Sequence, residues 1–155
     1  MSSALDRAGK AVATVLGAGY LPVAPGTAGS LVSAGLFAVL GPGPALRWLL
    51  CALFLAIGYW GCRVGRASWG SDPSRVVADE FAGCWIACMA APAGWRLAGV
   101  AAAFILFRAF DIWKPWPVSV FDRMDSPLGI LLDDVAAGIL SAAVLFAAGQ
   151  VHVSL

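Results

Sequence analysis

Five stretches without a single charged residue, 11–46, 48–62, 81–95, 97–107 and 135–155, constrain this chain more than any other feature. They leave 12% of the 155 residues charged against 61% apolar, where a soluble domain carries about 25% charge and roughly 45–50% apolar residues. So few charges cannot cover a compact domain in water, and disorder would need the opposite composition. Ten Lys and Arg stand against nine Asp and Glu, a balance that argues against nucleic acid as a partner. The expectation is one integral membrane domain over residues 1–155.

Only the first and last stretches exceed the roughly 20 residues that cross a bilayer core. The first is broken by Pro22, Pro25 and several glycines. The short middle stretches are flanked by Arg47, Arg63, Arg96 and Arg108, which can reach the interface. Gly41-Pro42-Gly43-Pro44 and Ala91-Pro92-Ala93-Gly94 read as breakers between helices. Nothing alternates with a period of two, and a bilayer admits only helices or closed barrels. The predicted architecture is all-α: a compact polytopic membrane helix bundle. It has an amphipathic N-terminal helix at 4–18 and about five apolar helices at 30–41, 46–63, 80–91, 95–110 and 130–150. Residues 11–22 resemble the apolar core of a signal peptide, but Asp6 weakens that reading and the stretch runs straight into the 24–30 segment. Cys51, Cys62, Cys84 and Cys88 fall inside apolar helices and read as small buried hydrophobes. With His152 as the only histidine, no zinc set can be assembled.

Five helices place the chain alternately on two sides. One side holds Arg7, Lys10, Arg63, Arg66, Arg75, Arg108, Lys114 and Arg123, the other only Arg47 and Arg96. The basic side is therefore expected to be cytoplasmic. All the acids follow it: Asp6, Asp72, Asp79, Glu80, Asp111, Asp122, Asp125, Asp133 and Asp134. Asp79-Glu80 opens one predicted helix, and Asp133-Asp134 is expected in the first turn of the last. Acids in a first turn can simply cap free N–H groups, worth about 0.3–1 kcal/mol each. Two adjacent pairs at membrane depth repel and lose solvation, which favours a cation between them. Magnesium suits such a set, since it takes carboxylates, waters and substrate phosphate.

A metal-carboxylate face beside cations suggests work on phosphate. No histidine lies near it, no cysteine has an arginine six positions on, and no Asp-x-Asp nucleophile motif occurs. Metal-activated water attacking phosphorus is left. Ala24-Pro25-Gly26-Thr27-Ala28-Gly29-Ser30 reads as a loop entering a helix. It is either an anion cradle using its backbone N–H groups with Thr27 and Ser30, or a turn with Ser30 as N-cap. Arg108, Asp111 and Lys114 recur every third residue, so a helix reaching Lys114 would hold them on one face for a phosphate head group. Trp113 and Trp116 beside them suit a membrane interface.

Four segments in this order resemble the phosphatidylglycerophosphatase A family of magnesium-dependent membrane phosphatases. They are Leu21–Thr27 with Gly29-Ser30; Asp79-Glu80-Phe81-Ala82-Gly83; Phe107-Arg108 with Phe110–Pro117; and Gly129-Ile130 with Asp133-Asp134 and Ala137-Gly138. The resemblance covers roughly residues 18–145. It implies a metal site of Asp79, Glu80, Asp111, Asp133 and Asp134, with Asp79, Asp111, Asp133 and Asp134 carrying the catalytic step. It also implies that Arg108 and Lys114 meet phosphate, with Thr27 and Ser30 as further substrate contacts or structural residues. Asp122 matches as a ligand or a loop cap. Ser126-Pro127-Leu128 stands where relatives tend to have glycines, and Pro127 is expected to stiffen that loop.

The function so implied is hydrolysis of the terminal phosphate of phosphatidylglycerophosphate, using Mg2+, at the cytoplasmic face of a bacterial inner membrane. Some relatives are soluble, but this composition favours the membrane branch. Two other classes fit the same acids: a cation- or proton-binding transport protein, and a structural helix bundle whose acids only cap helices.

Overall fold

The computed structural model describes residues 3–71 and 73–153, all of whose regular elements are helical. In chain order they are α1 (Ala4–Ala13), a 3-10 turn (Ala18–Tyr20), α2 (Pro25–Leu40), α3 (Pro44–Trp69), α4 (Ala78–Met89), a second 3-10 turn (Ala93–Trp95), α5 (Arg96–Trp113), α6 (Val118–Asp122) and α7 (Pro127–Val153). The expected positions of Asp72 and of the Arg96 and His152 side chains lie outside the described residues.

Each of the five apolar segments is helical, as α2, α3, α4, α5 and α7. Among the described residues two helices, not five, are long and apolar enough to cross a membrane: α3 over 26 residues and α7 over Pro127–Gln150. At 1.5 Å per residue, the 12 residues of α4 reach only about 18 Å. The reason lies in position: α4 is the central helix, packed against α2, α3, α5 and α7. Its Ala82, Gly83, Cys84, Trp85, Ala87 and Cys88 are all buried.

Several ends differ from expectation, each for a local reason. The amphipathic helix stops at Ala13 because the Thr14 hydroxyl donates to Lys10 O (2.9 Å) and accepts from Gly17 N (3.2 Å). Such side-chain bonds offer the backbone an alternative to continued helix, and Val15, Leu16 and Gly17 then take positive φ. The 24–30 segment is not a loop: α2 already begins at Pro25, whose ring presets the first helical position. Ser30 is consequently no N-cap; its hydroxyl donates back to Gly26 O at 2.8 Å. Likewise 126–128 is no loop. Ser126 Oγ accepts from Gly129 N at 3.0 Å and Pro127 starts α7, so Asp133 and Asp134 lie two turns inside that helix rather than in its first turn.

Small residues set the spacing at the site end. A Cβ on Gly83 would come within 2.5 Å of Asp134 O, and one on Gly138 within 2.4 Å of Gly83 O. Backbone-to-backbone contact between α4 and α7 is the result. Trp85, fully buried, stacks edge-on with Phe37 and Phe54 and donates its Nε1 to Arg47 O at 3.3 Å. Arg47 in turn closes the far end of α4, donating to Met89 O (3.3 Å) and Pro42 O (2.7 Å). The four cysteines are buried and unbridged, as small hydrophobes would be.

Candidate active site

The close approach of α4 to α7 has a direct consequence for the acids. Asp79 and Glu80 in the first turn of α4 meet Asp134 of α7, with one carboxylate oxygen from each lying within 4.8 Å of the others. Asp79 is 6% exposed and Asp134 3%. Asp79 Oδ1 accepts no hydrogen bond from the first turn of α4 among the described residues, and α7 has no free N–H two turns in. Capping therefore accounts for neither Asp79 nor Asp134.

Asp79 Oδ1, Glu80 Oε2 and Asp134 Oδ1 are buried and have no hydrogen-bond partner among the described residues. Buried carboxylate oxygens left without donors are costly, and three together repel one another. An all-oxygen donor set of this kind fits a hard divalent cation. Asp111 lies within interaction range of Asp134 and is ion-paired with Arg108.

Asp133 points elsewhere. Its Oδ2 accepts from Lys114 Nζ at 2.7 Å and its Oδ1 from Asp134 N at 3.0 Å. Lys114 also donates to Asp122, which makes Asp122 an ion-pair partner here, neither a loop cap nor part of the three-acid cluster. Burial lowers the affinity of Lys114 for its proton, but the bonds to Asp122 and Asp133 outweigh it, and its pKa sits above the ordinary lysine value. Lys114 does not continue α5 as expected. It is the C-cap, at φ 50°, and this left-handed turn swings it away from Arg108 toward α6 and α7.

A cavity of about 350 Å³ opens over these groups. Its lining includes all of Asp79, Glu80, Asp111, Lys114, Asp133 and Asp134. Seven of the eight acids among the described residues line it, once Asp122 and Asp125 are added. Of the remaining expected residues, Arg108, Ser30 and Thr27 do not line it. Arg108 lies behind the acids, with Nη1 3.5 Å from Ser30 Oγ and bonded to Asp111. Gly26 lets α2 come this close, since a Cβ there would lie 2.1 Å from Glu80 Oε1 and 3.2 Å from Arg108 Nη1. Ser30 is fully buried and Thr27 half-buried.

Arg66, Arg123, Ser71 and Asp125 also line the cavity, and motif reasoning did not single them out. Arg66 bonds Asp125 Oδ1 at 2.7 Å and Ser71 O at 2.7 Å. The available signal was the one-sided gathering of charge, which includes Arg66, Arg123 and Asp125 but carries no spacing.

A family model described as phosphatidylglycerophosphatase A matches residues 11–149. A protein of Bacteroides thetaiotaomicron, provisionally named a phosphatidylinositol-3-phosphatase, is 42% identical over 84% of this chain and 86% of its own length. The phosphatidylglycerophosphatase A of Escherichia coli K12 is 39% identical over 90% of this chain and 82% of its own. That of Haemophilus influenzae is 38% identical over 88% and 85%. No solved structure matches.

Proposed function

The chain belongs to the phosphatidylglycerophosphatase A family, and on that premise we propose that it hydrolyses the terminal phosphomonoester of phosphatidylglycerophosphate, releasing phosphatidylglycerol and phosphate. The observation that carries this reading is the buried cluster of Asp79, Glu80 and Asp134, whose unpartnered oxygens border the same cavity as Lys114.

In this reading Asp79, Glu80 and Asp134 would hold magnesium, with Asp111 beside them. Bound there, the cation would supply Lewis acidity and lower the pKa of a water molecule. Lys114, kept charged, binds a non-bridging oxygen of the terminal phosphate. Asp133 and Asp122 fix its ammonium group from two sides, so the cation is held in place before substrate arrives. Arg108 positions Asp111 and stands beside Glu80, and the same Nη1 reaches the Ser30 hydroxyl, so Ser30 acts through Arg108 and Arg108 through the acids. Thr27, half-buried on the first turn of α2, follows Gly26, the residue whose backbone meets Glu80.

We place the site at the cytoplasmic face of the bacterial inner membrane, with α3 and α7 as spans. The gathering of Arg66, Lys114 and Arg123 around the cavity supports that orientation, and the strongly exposed Trp113 and Trp116 suit the interface. The acyl tails would then stay in lipid while the head group enters the cavity.

Purified protein in neutral detergent, given phosphatidylglycerophosphate, is expected to release phosphate with magnesium, to stop in EDTA, and to recover when magnesium is restored. Full activity in chelator would overturn the metal reading. Cation flux across liposomes without phosphate release would favour a transport protein instead. The name of the Bacteroides relative favours a second substrate, phosphatidylinositol 3-phosphate, and the same assay separates the two lipids.

A further inference from the structure

Among the described residues the cavity has three cationic side chains on its lining, and they are not in the same state. Lys114 is held by Asp122 and Asp133. Arg66 is held by Asp125 and by the carbonyl of Ser71. Arg123, the C-cap residue of α6, lines the same cavity and is exposed. It makes no ion pair or side-chain hydrogen bond among the described residues.

The neighbours of Arg123 in the chain sharpen this. Asp122 precedes it and Asp125 follows two residues on, either of which could neutralise it. Each is engaged by a different cation, Lys114 and Arg66 respectively. The α6–α7 turn therefore presents one uncompensated guanidinium to a cavity whose other cations are already committed. A guanidinium keeps its charge at any ordinary pH, and its fork of donors matches two oxygens of a phosphate.

On the reading above, the substrate brings two phosphates: the terminal monoester, and a diester that joins the head group to the diacylglycerol. The monoester belongs with the acid cluster and Lys114, where hydrolysis would occur. We propose that Arg123 forms a second phosphate subsite in this cavity, binding the lipid's phosphodiester and so selecting lipids that carry a diester beside their terminal phosphate. Phosphatidic acid carries a monoester alone and would leave Arg123 unused. Arg123 is on this account a specificity residue and not a catalytic one. The inference rests on the proposed phosphatase activity.

The test compares wild type, Arg123→Gln and Arg123→Lys in neutral detergent with magnesium, each on phosphatidylglycerophosphate and on phosphatidic acid. With Arg123→Gln, KM for phosphatidylglycerophosphate is expected to rise about five- to tenfold, with kcat within about twofold. Arg123→Lys should fall between, having the charge without the fork. KM for phosphatidic acid should stay within about twofold throughout, since no diester contact exists to lose. Glycerophosphoglycerol, which has the diester and no monoester, should compete with substrate in wild type and lose about five- to tenfold in affinity with Arg123→Gln. Because Arg123 is exposed, thermal unfolding should not move, which separates binding from folding. An equal rise in KM on both lipids would make Arg123 a general attractor of anionic surfaces and overturn the proposal. So would an unchanged KM for phosphatidylglycerophosphate. If wild type released phosphate from neither lipid, the phosphatase reading itself would fail, and this inference with it.

Discussion

Asp134 joins Asp79 and Glu80, while Asp133, one residue earlier, accepts from Lys114. Adjacent residues on a helix are separated by about 100° of rotation, so the pair divides its labour between two partners. The Asp-Asp dipeptide is visible in the sequence; which member faces the acids of α4 depends on the rotation of α7, which no motif states. The same separation yields a prediction. Asp79→Asn and Asp134→Asn should each lower kcat by at least about 100-fold. Without metal, each should leave the thermal midpoint unchanged or raised, because one of three repelling buried carboxylates becomes neutral. Phosphate release and unfolding in EDTA, measured on the same samples, check both halves. A large loss of stability in chelator would mean that the acids are structural.

At the scale of elements, the contact between α4 and α7 builds the site. Gly83 and Gly138 allow it, and Gly26 brings α2 against Glu80 in the same way. Gly83→Ala puts a methyl group 2.5 Å from Asp134 O and 2.6 Å from the Phe107 ring, so the helices must separate. Overpacking of this kind costs about 1–3 kcal/mol. Since the acid cluster straddles the same contact, kcat should fall at least tenfold, as a displacement near 1 Å is enough to misplace reacting groups. A thermal midpoint and turnover both within error of wild type would argue against this close packing. Helix existence was legible in the uncharged stretches, and the Gly-Pro breakers marked the turns correctly. The ends were less so. Thr14 stopped α1 early through its own hydroxyl, Pro25 and Pro127 opened α2 and α7 before the expected positions, and Lys114 turned out of α5 instead of extending it. Each error came from reading an apolar pattern where a local side-chain or proline effect decides.

Across the whole molecule, charge is sorted by end. Seven acids border one cavity, while Arg47 closes the far end of α4 through backbone carbonyls. Orientation in the membrane follows as a prediction. Asp125, whose side chain is 78% exposed, can be changed to cysteine against four native cysteines that are buried. A membrane-impermeant thiol reagent should label Asp125→Cys in inverted inner-membrane vesicles and not in right-side-out spheroplasts. The reverse pattern would place the cavity outside the cytoplasm.

Sequence alone determined the helical class, the gathering of charge on one side, and the acids and Lys114 as the residues of interest. Such properties depend on composition, on local hydrogen bonding and on the separation of charge from apolar surface, all written along the chain. Only the tertiary structure decided that Asp134 and not Asp133 joins Asp79 and Glu80. It also set Arg108 and Ser30 behind the acids rather than in the cavity, and left Arg123 as the cavity-lining cation without an ion pair among the described residues. Those outcomes turn on helix rotation and on backbone contacts of a few ångströms between residues far apart in the chain, which spacing along one segment cannot encode.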